Sequence, residues 1–582
     1  MLIKRIILAA CCVIVEMSMT APVANACGGF FCTTAPINQA AEQIVFRQEG
    51  SQVTAMVRIL YAGDAEDFSW VVPVPNTPEI SLGANVTFDE LDFASRPQFA
   101  LETEGELCFK DEPAPQPAFS PETDESTDGG DGVTIEEELS VGPFDIDIVS
   151  SDNADDMSIW LQDNGYLLDD RGRELIEPYV LMNMKFVALK LKSGESSGSI
   201  QPLIMSYESE KPMIPIRLTA VAAEDDMGVL VWIVNDARAI PENYEHVTPN
   251  YTMLDWYSGT SNAYISYQSL ITDAMDESGG QGFATDYAGS ITEQISNRLT
   301  DESVIKNNLA QLDAIGNDAE YLVNSLFTTI DPPGALASMQ IILPLPDGLT
   351  TNTYFDSAEL SSIFTADELQ QARIKVRASI VERELEPIAD ATKLLPQDAY
   401  MTRLYTTLSA AEMTLDPTFN YNANMPEQPL LRRAKLNASC DNEVSNWILT
   451  LGAGTGREGE EVLNVSGQPI PFTGSIPQPV NDQPAAFLRE RTSADAAPEL
   501  LFQAVSSTLE ISANGDVEGG VMNVNGNGDN GNSDNGNSDS GNIDSSSDGF
   551  LGSAGIFWVL SGVIMVFLRT GGMQVSNREE DS

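Results

Sequence analysis

The sequence predicts an α+β ectodomain followed by a single C-terminal transmembrane helix. Two patterns predict the mixed class: short apolar runs bounded by Pro, Gly or Asp, and longer runs with a helical period, follow one another without regular βαβ alternation. The membrane helix is predicted by residues 549–568, GFLGSAGIFWVLSGVIMVFL, which carry no charge. At 1.5 Å per residue they would extend about 30 Å, the thickness of a bilayer's hydrocarbon core.

Residues 53–61 alternate as a half-buried strand does, and 68–75 (FSWVVPVP), 186–191 and 228–234 (GVLVWIV) are apolar runs of strand length. Residues 213–216 (MIPI) and 342–346 (ILPLP) resemble 68–75. Proline cannot donate to a sheet ladder, so each of these runs is expected at a sheet edge or strand end. Asp152 is expected to cap a helix carrying Ala154, Met157, Trp160 and Leu161, closed by Asn164-Gly165. A longer helical stretch is read over residues 290–327 from Ile291, Ile295, Leu299, Val304, Ile305, Leu309 and Leu312, and Thr365 with Glu368 forms a capping box.

The chain has 582 residues, with 30 Lys+Arg against 87 Asp+Glu, so its net charge is 30 − 87 = −57. That surplus repels nucleic-acid backbones, and no nucleic-acid partner is expected. With His246 as the single histidine, HExxH zinc chemistry is excluded, and GxxxxGK[ST] does not occur. No resident cofactor or metal is expected.

Residues 1–26 follow a secretory plan: Lys4 and Arg5, an apolar run over 6–15, then Ala24-Asn25-Ala26 for cleavage before Cys27. The ectodomain is expected over 27–440, with an acidic disordered loop at 111–138 and a C-terminal extension over 441–522. Residues 523–548 repeat Asp, Asn, Gly and Ser and read as a disordered linker, with weak calcium capture as the alternative. Arg569 and Arg578 follow the apolar segment while five Asp precede it, which places residues 569–582 in the cytoplasm. The expected location is the bacterial cell membrane: single-pass, with the N-terminal ectodomain outside and the bilayer met only through the C-terminal helix.

Removal of the leader would leave Cys27, Cys32, Cys108 and Cys440, an even number that reads as disulfides in an exported chain. Three pairings exist. Gly28 and Gly29 permit the tight ring of a Cys27–Cys32 bridge, which would leave Cys108 with Cys440.

Five motifs then point to a family: CGGFFC from Cys27; Trp160-Leu161 with Asn164-Gly165-Tyr166; KPMIPIRLTA from Lys211; DESGGQGFATDYAG from Asp276; and TRLYTTLSAAEMTLDPTF from Thr402. Together they resemble the bacterial domain-of-unknown-function family 2330, over about Cys27 to Cys440. The resemblance implies an exported, often membrane-anchored protein and transfers no functional residue.

Residues 243–267 are dense in aromatics. Tyr244, Trp256 and Tyr257, with His246 and the nearby Gln281 of a glycine-rich turn, are the candidate ligand-binding residues, because rings stack on apolar ligand faces while polar groups orient them. The function expected is non-catalytic binding, or a structural role, by an acidic tethered ectodomain. Its partner would be a cell-surface ligand or an envelope protein. The alternative is an extracytoplasmic hydrolase of glycan or peptide working through two carboxylates, for which Asp255, Asp276, Glu277 and Asp286 are the candidates.

Overall fold

The computed structural model describes residues 38–62, 68–105, 134–166, 170–195, 199–221, 223–256, 259–291, 302–346, 348–397, 399–441, 444–468, 483–494, 496–505, 508–511 and 517–518. The leader, Cys27, Cys32, Cys108, the side chain of Cys440, Tyr257, the linker and the 549–568 segment lie outside them. Among the described residues, no helix is long and apolar enough to cross a membrane.

The chain opens with a hairpin of β1 (Asn38–Glu49) and β2 (Gln52–Ala62), turned at Gly50 with φ 63°. It continues through β3 (Ser69–Val74), β4 (Glu79–Leu82), helix α1 (Asn85–Ser95), β5 (Gln98–Gly105), β6 (Thr134–Val141) and β7 (Phe144–Ser150). Two helices follow, α2 (Ala154–Asp163) and α3 (Asp170–Leu181), then β8 (Lys185–Leu191), β9 (Leu203–Glu208), the short α4 (Ile216–Thr219) and β10 (Ala223–Asn235). Next come β11 (Ala239–Pro241), β12 (Glu245–Pro249), α5 (Gly259–Asp276) and β13 (Gly282–Ser290). A helical lobe contains α6 (Glu302–Asp313), α7 (Asp318–Thr328), α8 (Pro332–Ile342), α9 (Ser357–Ile363), α10 (Ala366–Ile380) and α11 (Glu386–Leu394). The last part is β14 (Tyr400–Leu408), β15 (Phe419–Tyr421), β16 (Leu431–Asp441), β17 (Val444–Leu451), β18 (Glu461–Gln468), β19 (Ala486–Arg491), β20 (Glu499–Gln503), β21 (Leu509–Ile511) and β22 (Val517–Glu518).

A ten-stranded mixed sheet, ordered β20-β19-β12-β13-β14-β10-β1-β2-β9-β4, is the spine. One face carries Ile44, Phe46 and Val57 against Trp70, Val72, Phe144 and Leu189 of a four-stranded sheet, β3-β8-β7-β6. The other face presents Val45, Met56 and Trp232 to Phe88 and Leu91 of α1 and Leu394 of α11. This two-sided burial is the period-2 alternation of a strand covered on both faces. Helices α2 and α3 cover the outer face of the small sheet, and α5 lies between the spine and a six-stranded sheet, β22-β21-β18-β17-β16-β5.

The α+β class is therefore observed, and the strands read at 53–61, 68–75, 186–191 and 228–234 are present. Pro73 lies in β3, at the edge of its sheet. The capping box of Thr365 and Glu368 starts α10, and Asn164-Gly165 ends α2 with Gly165 at φ 71°. Other expectations need correction. The cap of α2 is Asn153, whose side chain accepts from the Asp155 amide at 2.8 Å, not Asp152. The stretch 290–327 is not one helix: Ile291 follows a strand, and Asn317 accepts from two amides to begin α7 as a separate helix. Residues 342–346 are no strand, because Asp331 and Pro332-Pro333 start a helix whose apolar end is Ile342. Met213 forms only an isolated bridge to Thr418 before α4 begins. The acidic loop is shorter than read, since β6 already starts at Thr134.

One close backbone approach joins the six-stranded sheet together. Gly105 has φ 96°, and a Cβ there would stand 1.8 Å from the Ala438 carbonyl oxygen across the β5–β16 pair. Gly105→Ala is expected to lower stability to urea by about 1–3 kcal/mol or more. Gly50→Ala, with the same backbone sign but open space around it, is expected to cost less.

Candidate functional site

The two sheets that share the main core do not close completely. Between them lies a slot of about 600 Å³ of unfilled space, its open mouth included. Its floor is Ile44, Phe46, Ala55, Val57 and Met205, side chains that strand alternation puts on one face of the spine. Residues 70–75 of the first apolar-proline run form one wall, and residues from Lys211 to Thr219 in the KPMIPIRLTA motif form another.

Chain from the LDPTF motif holds that second wall in place. The Ile214 amide donates to the Pro417 carbonyl and the Phe419 amide to the Pro212 carbonyl, both at 3.1 Å. The Asp416 carboxylate accepts from the Arg217 amide (3.1 Å) and from the Tyr179 hydroxyl (2.8 Å). Two motifs about 200 residues apart in sequence are thus parts of one structure.

Glu42 is the polar group of the slot. It follows the same alternation as Ile44 and Phe46, and its register partners on either side are Ile59 and Val229. It is 5% exposed, and its Oε2 is buried without a hydrogen-bond partner. The nearest guanidinium in the hairpin, Arg58, is engaged on the opposite face with Gln43, the Asn85 carbonyl and Asp89. Burial pushes the Glu42 carboxyl up from 4.5 to about 7. Tyr207, Ser209 and Lys211 complete the lining, with Lys211 paired to Glu242 and burial raising the Tyr207 phenol.

Of the aromatic candidates singled out in the sequence, Tyr244 and Trp256 are core, and Tyr257 lies outside the described residues. Trp256 is 3% exposed, meets Phe99 edge-on at 5.9 Å, and donates its indole N–H to the Tyr251 carbonyl at 3.0 Å. Tyr244 is buried with its hydroxyl donating to the Leu415 carbonyl at 2.7 Å. His246 is buried beside Arg238 and Thr285, and burial, followed by the Arg238 charge, pushes it down to about 3. It stays neutral at physiological pH. Gln281 donates its side-chain amide to Thr414 Oγ1 at 3.1 Å. These residues do not form a ligand surface, because their rings face inward.

The four carboxylates weighed for hydrolysis do not converge on one site either. Asp255 precedes α5 and Asp276 ends it, and 18 residues of helix extend about 27 Å. A glycosidase pair needs about 5–10 Å. Glu277 spends both oxygens on the Ala485 (2.7 Å) and Ala486 (3.0 Å) amides. Asp286 is fully enclosed: Tyr267 donates its hydroxyl at 2.6 Å and Arg403 its Nε–H at 3.0 Å. Asp276 sits instead with Asp226, Asp273 and Glu412, where burial and then these neighbours raise its pKa. Among the described residues, no group of three or more His, Cys, Asp and Glu is arranged to hold a metal ion.

The family model described as "Uncharacterized protein conserved in bacteria (DUF2330)" matches residues 21–418. The chain belongs to that family. Every residue lining the slot falls within the matched part, as do the five carboxylates and aromatics just placed at 244, 255, 256, 276 and 286. Comparison with curated proteins and with solved structures returned no match.

Sequence reading missed Glu42, although a signal was present: in AEQIVF it stands two and four residues before Ile44 and Phe46, on the face of a strand that must be buried. Its titration gives a test with a definite sign. A carboxyl with pKa about 7 when folded and about 4.5 when unfolded holds more protons in the folded state between those values. Folded stability must therefore fall as pH rises through that window. Glu42→Gln should remove up to about 3 kcal/mol of that fall in urea unfolding followed from pH 4.5 to 8. Glu384, raised by burial to about 7 as well, contributes to the remainder, together with other carboxyls raised by burial such as Asp286 and Asp416. Parallel curves for the two proteins would show that Glu42 does not titrate there.

Proposed function

We propose that this family member is an exported, membrane-tethered binding protein of the bacterial envelope that takes a small apolar ligand between its two sheets and turns nothing over. The slot carries this reading: apolar walls from distant parts of the chain meet there around a buried carboxyl without a partner. A pocket with mostly apolar walls and few polar groups is the usual form of a small-molecule site. Export and tethering are supported by the sequences of residues 1–26 and 549–568, and bridges Cys27–Cys32 and Cys108–Cys440, if formed as the sequence leads one to expect, would require an oxidising compartment. The charge of −57 keeps such an ectodomain soluble and repels polyanions.

The purified protein, offered short alcohols, peptides, peptidoglycan and polysaccharides, is expected to bind the short alcohols saturably in calorimetry and to release no product from any of them. Ala55→Leu, which fills the floor of the slot, is expected to weaken that binding at least tenfold. Binding that survives Ala55→Leu would place the ligand elsewhere. Turnover abolished by Asp276→Asn would establish the hydrolase.

A further inference from the structure

We infer that the slot selects an organic cation: a short alkylammonium whose charged head pairs with Glu42 and whose tail lies along Ile44, Val57 and Trp70. The inference rests on the binding reading above and specifies the ligand's chemistry. Four observations carry it. Glu42 faces a cleft with one oxygen buried and unpartnered, and a buried acceptor left in that state costs about 1–3 kcal/mol or more. Its register neighbours on that face are Ile59 and Val229, which have nothing to donate.

The charged and titratable groups of the lining are Glu42, Tyr207 and Lys211, and Lys211 is already paired with Glu242. Arg58 is occupied on the far face of the hairpin. A cation for Glu42 therefore has to come from outside these groups. The lining includes the aromatic side chains of Trp70 and Phe46, which favour an organic cation over a strongly hydrated one.

Other ligand classes fit less well. A bare divalent cation requires several oxygen ligands arranged around it, and Glu42 is the one carboxylate of the lining. An anion meets both the Glu42 carboxylate and the field of a chain with charge −57, whereas the same field raises the local concentration of cations. A neutral alcohol donates one hydrogen bond and leaves the carboxylate's charge uncompensated; an ammonium donates as well and pairs the two charges.

The test is calorimetric titration of the full chain with n-butylammonium, n-butanol and butyrate at pH 8 and pH 5.5. At pH 8 n-butylammonium is expected to bind at least tenfold more tightly than n-butanol, with butyrate weakest. At pH 5.5, where Glu42 is protonated, that preference should shrink to less than threefold in the wild-type protein. Glu42→Gln should lose the preference at pH 8 while still binding n-butanol, and every other carboxylate of the chain is unchanged in it. A preference for ammonium that persists in Glu42→Gln, or is absent from the wild type at pH 8, would overturn the inference and leave a neutral apolar site. Failure of all three probes to bind, or binding unaffected by Ala55→Leu, would overturn the binding reading itself.

Discussion

The buried guanidinium of Arg403 fixes how the spine, its helices and the second sheet meet. From β14 it donates to Asp286 on β13 at 3.0 Å, to the Asp92 carboxylate on α1 at 2.7 Å, and to Ser95 at 3.2 Å. Trp232 of β10 lies under it, 5.4 Å from its ring, and donates its N–H to the same Ser95 hydroxyl. Burial alone would discourage its charge, but Asp92 and Asp286 outweigh that and hold it protonated. Arg432 of β16 extends the network, donating to the Asp286 carbonyl at 2.7 Å and to the Tyr251 hydroxyl at 3.3 Å. Taking such charges out of water is costly unless every donor and acceptor is matched, so the elements that supply the partners are held to one arrangement.

Two buried carboxylates thus have opposite fates. Asp286 is surrounded by donors, and although burial still raises its carboxyl, Arg403 and Tyr267 offset part of that and tie it into the network. Glu42 stands in hydrocarbon with an acceptor unused, which is a cost to the folded state. Other buried polar atoms also lack a partner, Trp160 Nε1, His246 Nδ1 and the Tyr321 hydroxyl among them; what distinguishes Glu42 is that it lines the slot. Glu384 shows the third case. It lies in a π turn, Val381–Leu385, and is buried, but accepts from the Thr329 hydroxyl and the Asp331 amide. The neighbouring Arg383 carbonyl accepts from Gln201 at 3.2 Å, so the turn attaches the helical lobe to the chain beside β9.

Much of the fold was legible because local rules acted without competition. GVLVWIV has strand composition and forms the middle of β10; Thr365 and Glu368 have capping-box spacing and form one. The errors came where two signals overlapped. In ILPLP the apolar-proline composition suggested a strand end, but a helix started by Asp331 and Pro332-Pro333 runs to Ile342 and ends there, and Leu343 to Pro346 leave it without joining a sheet. Of the site, the walls were visible as FSWVVPVP and KPMIPIRLTA, while their meeting was not, since nothing local reports a contact between β3 and residues 211–219. Trp256 and Tyr244 misled for a related reason: composition gives aromatic density but not the face on which the rings lie, and here both polar tips reach backbone carbonyls inside the core.

The central claim is that the slot above Ile44, Val57 and Met205, with Glu42 beside it, is where this protein binds. Intermolecular nuclear Overhauser effects tell this most directly, measured at pH 8 between n-butylammonium and protein labelled at its Ile, Leu, Val and Met methyl groups. Effects on the methyl groups of Ile44, Val57 and Met205 are expected, and on none of the exposed Val304, Ile341 and Ile374 of the helical lobe. Effects confined to those exposed methyl groups, with the slot silent, would contradict it.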